Sequence, residues 1–182
     1  MNWSRLIAVA LMLKAPVSAA EVPAPMALVV MLKVITYDLA FDPQNRTDFV
    51  ICIPVAPEQK AEAEQTMKLL EGVGSSKLGA HHVRIKTVAA EKLGPALDAE
   101  HASAVLLLPD TPPALVAEQR QEASKRKLYM LALDPAMVTE QQSMLGVAEE
   151  SGKPKIVLNP RLAKALGIEF NASVLKVARL VR

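Results

Sequence analysis

Apolar runs recur along this chain and are separated by amphipathic stretches. Phe49–Val55, Ala104–Leu108 and Leu128–Leu133 are almost continuously apolar, which is typical of strands buried on both faces of a sheet. Val83–Val88 alternates apolar with polar residues and predicts a strand nearer the edge of that sheet. The pattern therefore predicts four strands in the middle of the chain.

The stretches around these strands predict helices. Met26–Thr36 carries apolar residues at the spacing of one helical face, which either packs on the domain, the commoner outcome, or forms a partner surface. Pro57–Leu70 starts with proline and ends just before Gly72. Ala89–Leu97 and Pro113–Arg126 are the other two candidates. Because strands and helices alternate, we expect a single α/β domain whose mainly parallel sheet has helices on both faces.

The last forty residues predict an antiparallel hairpin. Met144–Ala148 and Lys155–Asn159 are joined by a polar turn that contains Ser151 and Gly152. This hairpin should extend one side of the sheet.

Two short helices should follow the hairpin. Asn159 is expected to cap the first, and Gly167 is expected to end it. Asn171 is expected to cap the second, whose apolar residues should share one face. These residues are Val174, Leu175, Ala178 and Val181.

The first twenty residues have the pattern of a secretory signal peptide. Arg5 precedes the apolar run Leu6–Leu13, and small residues follow near Ala19. The run is far shorter than the roughly 20 apolar residues that a membrane span needs. We therefore expect a signal peptide at 1–20, a domain at 21–182, a periplasmic location and no transmembrane segment in the mature chain.

Charge disfavours a nucleic-acid partner. The full chain has 21 lysines and arginines against 19 aspartates and glutamates, and loss of Arg5 and Lys14 leaves 19 against 19. A neutral mature chain lacks the basic surface that phosphate backbones require.

No motif indicates catalysis, a metal or a cofactor. Cys52 is the only cysteine and lies within an apolar strand run, which indicates a buried core residue. His81 and His82 are adjacent, so they should point to opposite faces of a strand and act as surface residues rather than metal ligands. The glycines between Gly72 and Gly79 fit neither phosphate-binding spacing. We expect no enzyme.

The C-terminal pattern resembles the YfiR-like family of bacterial periplasmic proteins, which includes HmsC-like members. The resemblance rests on Ile156–Asn159, followed by Ala163, Gly167, Phe170, Leu175 and the pair Ala178–Arg179. Leu32–Asp38 and the strand at Phe49–Val55 also fall where that family has them.

The resemblance implies a non-catalytic periplasmic regulator. Proteins of this family bind the periplasmic sensor region of an inner-membrane diguanylate cyclase and restrain it, which links the envelope to cyclic-di-GMP and biofilm control. Characterised relatives use disulfides, whereas this chain has only Cys52. The family's aromatic-Pro element after the first helix is replaced here by Ile35–Asp38.

Two functional hypotheses follow. In the first, the chain binds an inner-membrane sensor or diguanylate cyclase through its first helix, with Leu28, Met31, Leu32 and Tyr37 as contact residues, or through an adjacent apolar patch. In the second, it is a periplasmic small-ligand binder that resembles one lobe of a transport receptor. Its site would then lie where parallel strands end, near Pro54–Pro57 or Pro109–Thr111. Whether the chain forms a homodimer stays open.

Overall fold

Strand β1 lies inside an eight-stranded sheet, in a computed structural model that describes residues 22–42, 44 and 47–181. The predicted signal peptide at 1–20 lies outside the described residues. The strands are β1 Asp48–Val55, β2 Lys77–Leu78, β3 His81–Ala89, β4 Ala104–Leu107, β5 Tyr129–Ala132, β6 Leu145–Glu150, β7 Lys153–Leu158 and β8 Arg179–Leu180. The helices are α1 Ala24–Ile35, α2 Lys60–Leu70, α3 Leu93–Ala99, α4 Pro113–Arg126, α5 Ala136–Thr139, α6 Pro160–Ala165 and α7 Ala172–Val177.

The strands are arranged in the order β2-β3-β1-β4-β5-β6-β7-β8. β3, β1, β4, β5 and β6 pair in parallel, whereas β2 and β7 each run antiparallel to a neighbour. The chain leaves β1 in one direction to form β3 and returns in the other to form β4. This reversal is a topological switch point, where open α/β sheets commonly bind ligands.

Helices cover both faces of the sheet. Residues 49–54 of β1 and all of β4 are buried, which requires cover on each side. Right-handed crossovers place α2 on one face and α3 and α4 on the other, since the chain moves in opposite directions through them. α1 packs beside α2 and over β6, and α3 packs beside α4. The predicted α/β fold class is confirmed.

The C-terminal hairpin is confirmed. β6 and β7 pair antiparallel from Leu145 with Leu158 to Glu150 with Lys153. Ser151 and Gly152 both have positive φ, which suits a two-residue turn of the primed type.

Local signals are also confirmed after the hairpin. The side chain of Asn159 accepts a hydrogen bond from the Leu162 N–H, and that of Asn171 accepts one from the Ser173 N–H. The predicted face of the last helix is only partly correct. α7 ends at Val177, Leu175 is exposed, and Arg179–Leu180 instead forms β8 beside β7.

Candidate functional site

Three of the four predicted contact residues lie in the core. Leu28, Met31 and Leu32 expose 0%, 0% and 4% of their surface, because the face of α1 that carries them packs onto the sheet. Their assignment as a contact surface is therefore wrong, and only Tyr37 is exposed. The accessible part of α1 is its outer face, which carries Met26 and Val29.

An apolar depression, here named the α1–α7 groove, lies between these two helices. Val29 and Tyr37 line it from the α1 side, Ile156 of β7 contributes from the sheet, and Val177 lines it from α7. Its volume is about 530 Å³, and Lys33 is the one charged residue among the described residues that line it. The Lys33 ammonium lies 5.8 Å from the centre of the Tyr37 ring, within cation–π range.

A carboxylate fixes the chain where α1 ends. Asp38 is buried, and its Oδ1 accepts hydrogen bonds from the Glu169 N–H at 3.2 Å and the Ala40 N–H at 3.3 Å. The Tyr129 hydroxyl donates to the other oxygen, Oδ2, at 2.6 Å. Burial, together with this hydrogen bond, raises the pKa of Tyr129 well above its usual range. The phenol therefore stays a donor to Asp38 at physiological pH.

Backbone contacts complete this junction. The Leu39 N–H donates to the Glu169 carbonyl at 2.8 Å, and the Asn171 N–H donates to the Tyr37 carbonyl at 3.0 Å. Since Asn171 also caps α7, the junction sets where α7 starts relative to the end of α1. Two segments distant in sequence, at residues 37–39 and 169–171, thus position both walls of the α1–α7 groove.

The switch point between β1 and β4 holds a buried amide. Gln59 is 6% exposed, and its Nε2 donates to the Pro109 carbonyl at 3.3 Å and to Thr111 Oγ1 at 3.5 Å. The Thr111 hydroxyl in turn donates to the Leu108 carbonyl at 2.7 Å. The opposite amide orientation would direct the Gln59 oxygen at the Pro109 carbonyl, so the carbonyl contact fixes the amide.

Gln59 Oε1 has no hydrogen-bond partner among the described residues. Nearby, Glu62 lies 3.5 Å from the Gln59 Nε2, and burial raises the pKa of the Glu62 carboxyl. For the small-ligand hypothesis, the described residues therefore offer one unpaired acceptor, Gln59 Oε1, close to the predicted segment Pro109–Thr111.

The candidate chemical groups elsewhere have structural roles. Cys52 is buried, and burial raises the pKa of its thiol to about 11, so the thiolate that would react is suppressed. His82 is exposed as predicted, but the prediction for His81 is wrong. His81 is buried, with its ring nitrogens 3.0 Å from the Thr47 carbonyl oxygen and 2.9 Å from that of Asp42.

Within the described residues, no group of three histidine, cysteine or acidic side chains could hold a metal ion. No helix in the same part of the chain is long and apolar enough to cross a membrane.

No family model matches this chain, and no curated protein matches it in sequence. Solved structures do match it. The chain is similar to an ABC domain from Streptococcus pneumoniae in complex with L-Trp, with a TM-score of 0.54 and 16% identity. It is also similar to a conserved domain protein from Vibrio cholerae, with a TM-score of 0.58 and 17% identity. A third match is CD0873 from Clostridium difficile, a substrate binding protein with adhesive properties, in its ligand-free open structure. That match has a TM-score of 0.56 and 12% identity.

These similarities establish the fold. Each match covers 88% of this chain but only 60% of the other protein. The chain thus spans about 60% of the length of each of these structures. At these identities the shared property is the α/β architecture.

Sequence reasoning missed the residues that build the α1–α7 groove. Val29 is one position from Leu28 and belongs to the same apolar stretch, so periodicity alone does not show which residues face out. The role of Asp38 was also missed, because two of its three hydrogen-bond partners are 91 and 131 residues away in the chain. Gln59 carried a weak signal, since it lies just after the Pro54–Pro57 segment expected at the switch point.

Proposed function

We propose that this chain is a non-catalytic periplasmic regulator that binds and restrains an inner-membrane signalling protein, with a diguanylate cyclase as the expected partner. The observation that carries the proposal is the α1–α7 groove. Exposed apolar surface on a soluble domain commonly marks an interaction site. Here the exposed residues Val29, Tyr37 and Val177 line one depression, rather than being scattered singly.

The shape of the groove favours a helical partner segment. Two helices form its walls and a strand forms its floor, which is the geometry in which an apolar helix face docks. Lys33 supplies a single positive charge, so an acidic residue beside the apolar face of the partner would complement it. The periplasmic location follows from the signal-peptide pattern at 1–20, and the cyclase follows from the YfiR-like resemblance.

The test is a pull-down from solubilised inner membrane with the tagged full chain as bait. Val29→Glu and Val177→Glu each place a charge in the α1–α7 groove. Leu69→Glu on α2 is the matched control, because Val29, Val177 and Leu69 are similarly exposed at 52%, 56% and 60%. All three variants should fold, since substitutions at such surface positions usually change stability by about 0.5 kcal/mol or less.

A membrane-anchored signalling protein should be recovered by the wild type and by Leu69→Glu, and lost with both groove variants. Recovery that is equal for all four proteins would contradict the proposal. A third result would assign the groove to a second copy of this chain instead. In that case the wild type sediments as a dimer and recovers no membrane protein, whereas Val29→Glu sediments as a monomer.

A second candidate function is small-ligand binding at the switch point. The unpartnered Gln59 Oε1 favours it, because a ligand N–H or O–H could supply the missing donor. Two of the similar structures also carry ligand-related names: one is in complex with L-Trp, and one is a substrate binding protein.

Thermal unfolding with and without L-tryptophan tests the second candidate. A ligand that binds the folded state but not the unfolded state should raise Tm. At a concentration 100 times its Kd, it adds about 2.7 kcal/mol to the free energy of unfolding. Gln59→Leu should abolish that rise. An unchanged Tm in the wild type, or a rise that Gln59→Leu retains, would remove L-tryptophan at this site from consideration.

A further inference from the structure

The outer edge of β3 is open over most of its length. β3 pairs with β1 along Asp48–Val55, but on its other side β2 covers only His81 and His82. Beyond this pairing, the Val83 N–H donates to the Ser76 carbonyl at 3.0 Å. From Ile85 onward, the described part of the chain supplies no further strand at this edge.

The contact of Val83 shows which backbone groups point outward. A strand directs the N–H and C=O groups of alternate residues to opposite sides, so those of Ile85, Thr87 and Ala89 face away from β1, as those of Val83 do. No hydrogen bond from the outward N–H of Ile85 or Thr87 occurs among the described residues. These groups have the spacing that a further strand would pair with.

An amphipathic crevice lies beside this edge. Val55, Met67 and Ala89 are among the apolar residues that line a depression of about 580 Å³ between α2 and the end of β3. A second depression of about 280 Å³ continues it past Ile85. Met67 of α2 borders both depressions, so together they follow the edge of β3.

The charges of β3 do not block this edge. Exposed lysines on an edge strand normally prevent another strand from pairing. Here Arg84 forms an ion pair with Asp48 at 2.8 Å, and Lys86 forms one with Glu100. Arg84, next to the open stretch of β3, and Lys86, on it, are therefore both neutralised within the domain.

We propose that the outer edge of β3 binds an extended peptide as an additional strand. The backbone of the peptide pairs with the outward groups of Ile85, Thr87 and Ala89, and every second side chain enters the crevice beneath α2. The ligand class is a peptide with alternating apolar residues, because main-chain pairing selects an extended backbone and the crevice selects apolar side chains. This site is separate from the α1–α7 groove and does not depend on the function proposed for that groove.

Fluorescence anisotropy with the full chain tests the proposal. The probe is a labelled synthetic peptide of about seven residues that alternates threonine and valine, and a backbone N-methylated version serves as the ligand control. Thr87→Pro is the decisive variant. It removes an outward N–H that forms no hydrogen bond within the described part of the chain, and proline is tolerated at such edge positions.

The wild type and Thr87→Ala, which keeps the N–H, should bind the probe within about twofold of each other, and Thr87→Pro should weaken binding by about tenfold. The N-methylated peptide should not bind. An unchanged melting temperature of Thr87→Pro would show that this variant folds. If it does not fold, the comparison between the probe and its N-methylated version decides. The proposal is overturned if the wild type gives no saturation, if the N-methylated peptide binds equally well, or if folded Thr87→Pro binds like the wild type. The proposal is also overturned if the wild type is a dimer that does not bind the peptide and Thr87→Pro is a monomer. That result would assign the edge to a second copy of this chain.

Discussion

Asp38 joins three parts of the chain through its two carboxylate oxygens. It receives donors from the loop after α1, from the segment before α7 and from the start of β5. Such charge-assisted contacts are stronger than neutral ones, and a buried carboxylate that loses a donor keeps its desolvation cost. The position of the α1–α7 groove therefore depends on one buried residue that is not part of its lining.

Removal of the Tyr129 hydroxyl should destabilise the domain. Tyr129→Phe leaves Asp38 Oδ2 without its 2.6 Å donor, and a hydrogen bond to a charged group contributes about 1.5–3 kcal/mol. Urea denaturation should show a loss of this size. Tyr37→Phe is the control, since Tyr37 is exposed and its hydroxyl forms no hydrogen bond within the described residues. Equal stability of the two variants would show that the Tyr129 contact contributes nothing.

The same hydroxyl should make the protein sensitive to alkali. The pKa of Tyr129 is raised in the folded state above the unfolded value of about 10. Its contribution to stability is therefore complete below pH 10 and is lost as the pH rises toward the folded pKa, by up to about 1.4 kcal/mol per pH unit. Cys52, whose pKa is raised to about 11, acts in the same direction from a lower pH. Urea midpoints measured from pH 8 upward should fall less steeply above pH 10 in Tyr129→Phe than in the wild type. Parallel curves would show that the Tyr129 hydroxyl is not the cause of the alkaline loss of stability.

Gln119 is a buried polar residue with an energetic cost. It is fully buried on the inner face of α4, and neither of its amide atoms forms a hydrogen bond among the described residues. Gln119→Met keeps the length of the side chain and removes the unpaired groups, so it should stabilise the domain by about 1 kcal/mol. Gln121→Met, at an exposed position of the same helix, should change stability by less than about 0.5 kcal/mol. A destabilised Gln119→Met would indicate an internal water or ligand that satisfies the amide.

At the scale of elements, the sequence was most informative where backbone chemistry is local. α4 begins at Pro113 and ends at Arg126 as predicted, and both asparagine caps form. The short strands β2 and β8 were not predicted, because each has only two residues and exists through pairing with a neighbour. The outward face of α1 was also beyond prediction, since every side of that helix carries apolar residues and only packing distinguishes them.

Two glycines that were both predicted to end helices differ in the structure. Gly167 has a φ of +76°, which an L-residue reaches only at a cost, whereas Gly72 has a φ of −65° and open space around its α-carbon. Gly167→Ala should therefore lower the free energy of unfolding by about 1–2 kcal/mol. Gly72→Ala should raise the free energy of unfolding by about 0.4–1 kcal/mol, because alanine restricts the unfolded chain. Thermal or urea unfolding of the pair measures both, and a stable Gly167→Ala would contradict the left-handed conformation.

At the scale of the whole molecule, the two proposed binding surfaces lie at opposite ends of one sheet. β3 and β7 are separated by five strand spacings, which is about 24 Å at about 4.8 Å each. The intervening strands belong to one continuous core, so the two surfaces share a scaffold without sharing side chains. Such an arrangement would let one domain hold a membrane partner at one end and an extended peptide at the other.

Independence of the two surfaces is the last prediction. Residues more than about 10 Å apart without shared partners usually contribute additively, so Val177→Glu should leave peptide affinity within about twofold of the wild type. Likewise, Thr87→Pro should leave recovery of the membrane partner unchanged, and the double variant should combine the two binding defects. The four proteins form a double-mutant cycle, read by anisotropy for the β3 edge and by pull-down for the α1–α7 groove. A coupling above about 0.5 kcal/mol would contradict independence and show that occupation of one end of the sheet is transmitted to the other.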